Sequence, residues 1–327
     1  MLSIKNISLE HIVTAIVLCL ILTFMGIYFD IRYLFEDSIV TGGDTASWYT
    51  VVHHMLTELL PNGQLTGWDM GNFAGYPNFT FYFIPPFLLA ALPAWLLPVP
   101  LTITLKWAIM SGIFLLPLCT YYCLRKLDYP FPTPLIGTGL SLIFLFNESY
   151  TMFGGNTLST FAGEFCYMFA FALFVAFIGS LYKGVKEDKG WIANGLLLGL
   201  IGLSHLFVFI PAGFVVMYFF FSTNRVRYIL KVCLIGFGLM AFWLLPLLAF
   251  RTPYTTPVYM IWQEFINWRY SLVGAGLVLL FILPVLNISA VKSKQNFWPI
   301  TAIVINGLGL SIGLLLAGMW AMYANKF

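Results

Sequence analysis

Charge is scarce in this chain. Of its 327 residues only 9% are Asp, Glu, Lys or Arg, 60% are hydrophobic, and the mean hydropathy is +0.90. A soluble domain carries about 25% charged residues, so a soluble globular protein is excluded. The formal net charge of +3 is small and dispersed, which speaks against a nucleic-acid partner. Cysteine is sparse as well: Cys19, Cys119, Cys123, Cys166 and Cys233 all lie inside apolar stretches. Cys119 and Cys123 share a helix face, but with no histidine near them they read as small core residues and not as zinc ligands. A small-residue cleavage pattern is missing after the first apolar run, which therefore reads as an anchor and not as a signal peptide.

What fills the chain is apolar runs of membrane-crossing length. A helix needs about 20 such residues to span a bilayer, and runs of this kind stand at 11–29, 103–123, 132–150, 161–182, 191–222, 228–250, 270–290 and 297–322. The long run 191–222 reads as two short spans meeting near His205 and Pro211. Residues 79–100 have the length but carry Pro85, Pro86, Pro93, Pro98 and Pro100. Lys and Arg in short loops favour the cytoplasm. If 79–100 does not cross, the basic clusters around Lys5 and at 123–126, 182–189, 224–231 and 291–294 all fall on one side. Residues 79–100 are therefore expected to be a proline-broken helix pair in the interface.

The sequence thus predicts an all-α polytopic membrane protein, one transmembrane domain over 1–327 with about nine transmembrane helices and a cytoplasmic N-terminus. Three extracytoplasmic loops follow, at 30–100, 151–163 and 251–270. The first should hold amphipathic interfacial helices. In 45–60, Trp48, Val51, Val52, Met55, Leu56, Leu59 and Leu60 keep a helical period, and Pro61-Asn62-Gly63 ends it. The other face carries Thr50, His54 and Glu58, with His53 at the boundary.

Candidate site residues gather in these loops. Asp44, after Gly42 and Gly43, stands where a carboxylate caps a helix by accepting backbone N–H bonds, and it can equally do chemistry. Trp68, Asp69 and Tyr76 place rings beside a carboxylate, as a sugar-binding surface does; an aromatic belt at headgroup level is the plainer reading. In the second loop Asn156 precedes Thr157, Ser159, Thr160 and Glu164. An acid at the mouth of an apolar helix points to function, whereas Ser159 or Thr160 as N-cap with Glu164 in the first turn is a capping box. A lone histidine such as His205 is more often structural.

In this order the motifs resemble those of the GT-C superfamily of membrane glycosyltransferases. They are more similar still to prokaryotic membrane proteins labelled 6-pyruvoyl-tetrahydropterin-synthase-related, a label that implies no pterin chemistry. Gly43-Asp44-Thr45 with His53 or His54, the stretch Trp68 to Pro86, and Ser159 to Phe165 carry the likeness, which covers roughly residues 10–220. It implies glycosyl transfer from a polyprenyl-phosphate sugar to a glycan, lipid or protein acceptor on the extracytoplasmic face, in contact with membrane lipid. Asp44 would be the general base. Glu164, His53, His54, Trp68, Asp69, Tyr76, Asn156, Arg251 and Arg269 would bind substrate, the cations facing the phosphate. Many such enzymes pair two acids in the first loop; Asp44 has no adjacent carboxylate, which leaves a divalent metal as an open cofactor. Two other classes are weighed against the enzyme: a non-catalytic subunit of a larger membrane complex, and a transporter. The near-absence of charge in the spans and of an internal repeat weakens the transporter.

Overall fold

The computed structural model of the protein describes residues 9–254, apart from 72–73 and 149–153. Helix α1 (Leu9–Tyr28) leads through a 3-10 turn at Ile31–Phe35 and an irregular segment to α2 (Thr45–His54), which continues as a π turn at Met55–Leu59 and a 3-10 turn at Leu60–Asn62. Strands β1 (Gly67–Asp69) and β2 (Tyr76–Asn78) pair antiparallel, Trp68 opposite Pro77. The helices α3 (Pro85–Leu96), α4 (Leu101–Lys126), α5 (Thr133–Leu145), the single turn α6 (Thr157–Ser159), α7 (Phe165–Glu187), α8 (Trp191–Ser204), α9 (Leu206–Ser222) and α10 (Val226–Tyr254) follow.

Among the described residues four helical stretches are long and apolar enough to cross a membrane: Leu9–Tyr28, Leu101–Lys126, Thr157–Glu187 and Val226–Phe250. The protein is thus an integral membrane protein, but nine spans are not what the described residues display. The run at 132–150 yields a 13-residue helix, and the run 191–222 yields helices of 14 and 17 residues. At about 1.5 Å per residue these are about 20–26 Å long, short of the roughly 30 Å hydrocarbon core. The split itself falls where the sequence places it: extended backbone at His205 (φ −167°, ψ 120°) ends α8, while Pro211 sits inside α9. The expected spans 270–290 and 297–322 lie outside the described residues.

Two expectations for residues 30–100 change. Residues 79–100 are not a broken helix pair; Pro85 and Pro86 start one 12-residue helix, where a missing N–H costs nothing, and Pro93 is absorbed inside it. A three-residue hairpin precedes it, too short for sequence periodicity to register. The periodicity of α2 is borne out, including the stop: Gly63 closes it in the left-handed region at φ 66°. Its apolar face, however, lies against protein. Val52, Met55 and Leu59 are buried in a core with Phe79, Ile84, Phe87, Leu105, Phe165 and Trp243.

Helices α4 and α7 form the axis of the bundle, with α3 and α5 against α4 and α8 against α7. Small residues permit the close approach that membrane helices use in place of a hydrophobic drive. A Cβ on Gly112 would lie 2.6 Å from the Phe169 backbone nitrogen, and one on Gly179 would lie 2.6 Å from the Cys123 Cα. Basic residues at the C-terminal ends of α4 and α7 and at the start of α10 collect at one end of this axis. Arg125 pairs with Glu10 at the start of α1, and Lys183 and Lys186 pair with Asp128 at 2.8 and 2.6 Å. Tyr228 at the start of α10 donates to Lys189 O at 2.8 Å, and the Lys231 ammonium lies over the Trp191 ring. Residues of the clusters at 123–126, 182–189 and 224–231, which the sequence assigns to one side, therefore gather at one end, while Lys5 and 291–294 lie outside the described residues. The N-terminus of α7 lies at the other, about 34 Å away along a 23-residue helix. The chain divides into two units, residues 1–212 with 227–248 and residues 213–226 with 249–327; the site described next lies in the first.

Candidate functional site

Two glycine-bearing segments meet at the N-terminal end of α7. Residues 160–164 make a π turn, broken at Gly163 (φ 123°) before α7 begins. Onto this kink sits the start of α2. The Asp44 N–H donates to Ala162 O at 2.8 Å, the Thr45 hydroxyl donates to Phe161 O at 2.8 Å, and the Trp48 indole N–H donates to Gly163 O at 3.1 Å. Gly43 lies in the left-handed region (φ 50°), and a Cβ there would collide with the Ala162 carbonyl. Only glycine fits that position.

The docking decides what Asp44 does. It occupies the N-cap position of α2, yet its carboxylate makes no capping hydrogen bond. The capping reading is therefore corrected. The Asp44 backbone is occupied by Ala162, the Thr45 hydroxyl also bonds back to Gly42 O, and the Asp44 side chain is left exposed, accepting no bond from the described residues. The second capping expectation also changes: neither Ser159 nor Thr160 caps the turn. Asn156 does, its Oδ1 accepting from Ser159 N at 2.8 Å, which gives this buried side chain a structural task.

Glu164 stands just before α7, its side chain 35% exposed and without a capping bond. Its Oε2 lies 3.9 Å from His205 Nε2, and the Asp44 carboxylate repels it. Tyr82 stacks on Trp48 at 4.8 Å between centroids. Burial, followed by the influence of Cys166, Glu164 and Asp44, pushes the Tyr82 phenol far above its ordinary value, so it stays a neutral hydroxyl. Burial likewise raises Tyr76, which Tyr82 also senses. The structure thus brings together Asp44 and Glu164, and adds Tyr82, Trp48 and His205, while Tyr76 stands opposite Asp69 in the hairpin.

Other predicted residues form a separate, internally bonded group. Asn78 Nδ2 donates to Asp69 Oδ2 at 3.1 Å and lies 3.1 Å from His54 Nδ1, while Asp69 Oδ1 accepts from Gly71 N at 2.8 Å. Asp69 and His54 thereby tie the hairpin to α2. Trp68, on the opposite face of β1, is 53% exposed, and His53 is exposed with its ring against Tyr49. The Arg251 side chain and Arg269 lie outside the described residues. Among the described residues no group of three or more His, Cys, Asp or Glu could hold a metal ion.

One residue that shapes the approach to Gly42 is absent from the candidates that the sequence offers. Lys106, in the apolar run of α4 and 8% exposed, donates through Nζ to Tyr33 O, Glu36 O and Ser38 Oγ at 3.0, 2.8 and 2.8 Å. Its three protons are all used, so it clamps the segment leading to Gly42. Trp107 joins it, donating to Leu34 O at 3.0 Å. A lysine inside an apolar span is the signal that could have found it.

A kinked span, a loop docked on the kink and two carboxylates at the junction define a polytopic membrane protein with a polar site at one end. The chain matches the model of the 6-pyruvoyl-tetrahydropterin synthase related domain, a membrane-protein family, over residues 79–257, more than half its length, and it belongs to that family. The matched region holds Glu164 and His205 and begins after Asp44. No curated protein and no solved structure matches the chain.

Proposed function

We propose that the protein is a membrane glycosyltransferase of the GT-C type, moving a sugar from a polyprenyl-phosphate donor to an acceptor hydroxyl on the extracytoplasmic face. The observation that carries this reading is Asp44: an exposed carboxylate with no internal partner among the described residues, held in place by its own backbone against the segment that bears Glu164. A structural cap would spend that carboxylate on N–H groups. A general base must keep it free for a substrate proton.

In the proposed reaction the acceptor oxygen attacks the anomeric carbon and its proton passes to Asp44. The bond from that carbon to the phosphate oxygen breaks, and the lipid phosphate leaves as an anion. Glu164 binds sugar hydroxyls beside it. Tyr76, Tyr82 and Trp68 supply neutral hydroxyls and ring faces, and His53, Arg251 and Arg269 are the cations assigned to the phosphate. The exposed apolar residues Leu92, Trp95 and Leu96 of α3 offer a surface for the polyprenyl chain. The basic end of the bundle faces the cytoplasm in this reading, by the positive-inside rule, in a prokaryotic plasma membrane.

The test compares wild type with Asp44→Asn in membranes given radiolabelled polyprenyl-phosphate sugars, after matched extraction and folding checks. Transfer by wild type and its loss in the variant supports the reading. Full transfer by the variant removes Asp44 as the base. Absence of transfer by both over a broad donor set turns the assignment toward a non-catalytic membrane subunit.

A further inference from the structure

His205 is built into the fold with more care than a space-filling ring requires. The break between α8 and α9 is fixed on both sides: His205 N donates to Ile201 O at 2.9 Å, and His205 O accepts from Val208 and Phe209. Leu203 O accepts from Ile84 N at 3.1 Å, tying the break to the head of α3. The ring lies 4.5 Å from the Phe83 ring and 5.0 Å, edge-on, from the Tyr167 ring. It is 6% exposed, and its Nδ1 has no hydrogen-bond partner among the described residues. An enclosed polar nitrogen in this state is costly and rarely idle.

The other nitrogen has one polar neighbour. Nε2 lies 3.9 Å from Glu164 Oε2, beyond a hydrogen bond and within a small side-chain rotation of one. Glu164 is the partner with room to turn, since its side chain is 35% exposed and caps nothing, whereas the imidazole is held between rings. A Cβ on Gly163, the residue before Glu164, would lie 2.9 Å from the Asp44 Cβ, so the two acids stand at one junction and the like charge of Asp44 acts on Glu164.

We propose that His205 is a positioning residue for Glu164. With its proton on Nε2 it donates to the Glu164 carboxylate after a small rotation of that side chain, and draws the carboxylate away from Asp44. Which ring nitrogen keeps the proton is set by the acceptor it meets, and here the acceptor is Glu164. Asp44 is then left alone toward the reacting hydroxyl. The role of the two acids rests on the glycosyl-transfer reading; the His205–Glu164 contact does not.

The experiment has two arms so that the two can fail separately. In the first, ring-nitrogen NMR of [15N]histidine-labelled protein in detergent micelles, assigned with His205→Gln, reads the tautomer of His205 in wild type and in Glu164→Ala. Protonation at Nε2 that is altered by Glu164→Ala is expected. Protonation at Nδ1, or no response to Glu164→Ala, overturns the proposal whether or not the protein transfers sugar. In the second arm, transfer is measured for His205→Gln, whose amide nitrogen reaches the Nε2 position, His205→Asn, which mimics Nδ1, and His205→Leu. His205→Leu and His205→Asn should lose about 10- to 100-fold in kcat, the worth of one hydrogen bond to a charged group, with KM little changed. His205→Gln should recover most of it. Equal loss in all three variants marks His205 as packing only and overturns the positioning role.

Discussion

The indole N–H of Trp48 donates to the Gly163 carbonyl at 3.1 Å, and a Cβ added to Gly163 would lie 3.1 Å from that same indole nitrogen. Hydrogen bond and close fit come from the same two residues. The start of α2 and the kink before α7 are therefore fitted to each other, and a change on either side must be felt on the other.

Gly43→Ala tests this fit. A left-handed backbone costs a non-glycine residue roughly 1–2 kcal/mol, and here the methyl also meets the Ala162 carbonyl. A loss of at least about 1–2 kcal/mol in thermal unfolding of the detergent-solubilised protein is expected, together with lost transfer. A melting curve matching wild type would contradict the docking described.

Lys106→Met removes the donor from Tyr33 O, Glu36 O and Ser38 Oγ. Leaving such partners unpaired costs about 1–3 kcal/mol. The segment 30–44 should become sensitive to limited proteolysis, read as a new cleavage band, while the helices stay protected.

Asp128 links pH to stability at the basic end. Hydrogen bonds from Lys183, then Lys186, hold its carboxyl below the ordinary carboxylate value. A folded-state value depressed in this way stabilises the protein above the ordinary carboxylate range and is lost as pH falls through the folded value. Because the group is partly exposed, the contribution is under about 1 kcal/mol and weakens with salt. Asp128→Asn should flatten the acid side of the melting-temperature profile and leave the value at low pH unchanged. A variant profile parallel to wild type would refute this.

Trp68→Ala should leave stability nearly unchanged, since the ring is 53% exposed. If the ring stacks on sugar, KM rises about 2- to 10-fold, as expected for one aromatic contact, with kcat preserved. Trp68→Phe should restore most of the affinity. Unchanged KM in Trp68→Ala would make the residue a membrane-interface ring.

Much of the helical framework is legible in the chain itself. The period of Trp48, Val52, Met55 and Leu59 and the Pro61-Asn62-Gly63 stop define α2 because helix geometry is a local property. The interruption at His205 is legible for the same reason. What local signals do not carry is pairing. Nothing in the stretch from Gly42 to Thr45 says that its N–H and hydroxyl groups end on Phe161 and Ala162, so capping is the natural reading of Asp44. The cap of the turn at Thr157 is misread by the same logic, three plausible cap residues standing within five positions and the fold choosing the first, Asn156, over Ser159 and Thr160. The Asp69–Asn78–His54 group is hidden because strands of three residues leave no period. Lys106 reads as a stray charge in the sequence because its three acceptors belong to a distant segment.

The junction of Gly43 with Ala162 also bears on how such chains can diverge. Neither segment can be exchanged alone: a donor copy of residues 42–48 brings glycines shaped for a particular kink, and a donor copy of 160–165 brings a kink shaped for particular glycines. Chimeras between relatives should fold when both segments come from one parent and fail when they come from two, as expected of a single cassette written in two distant places.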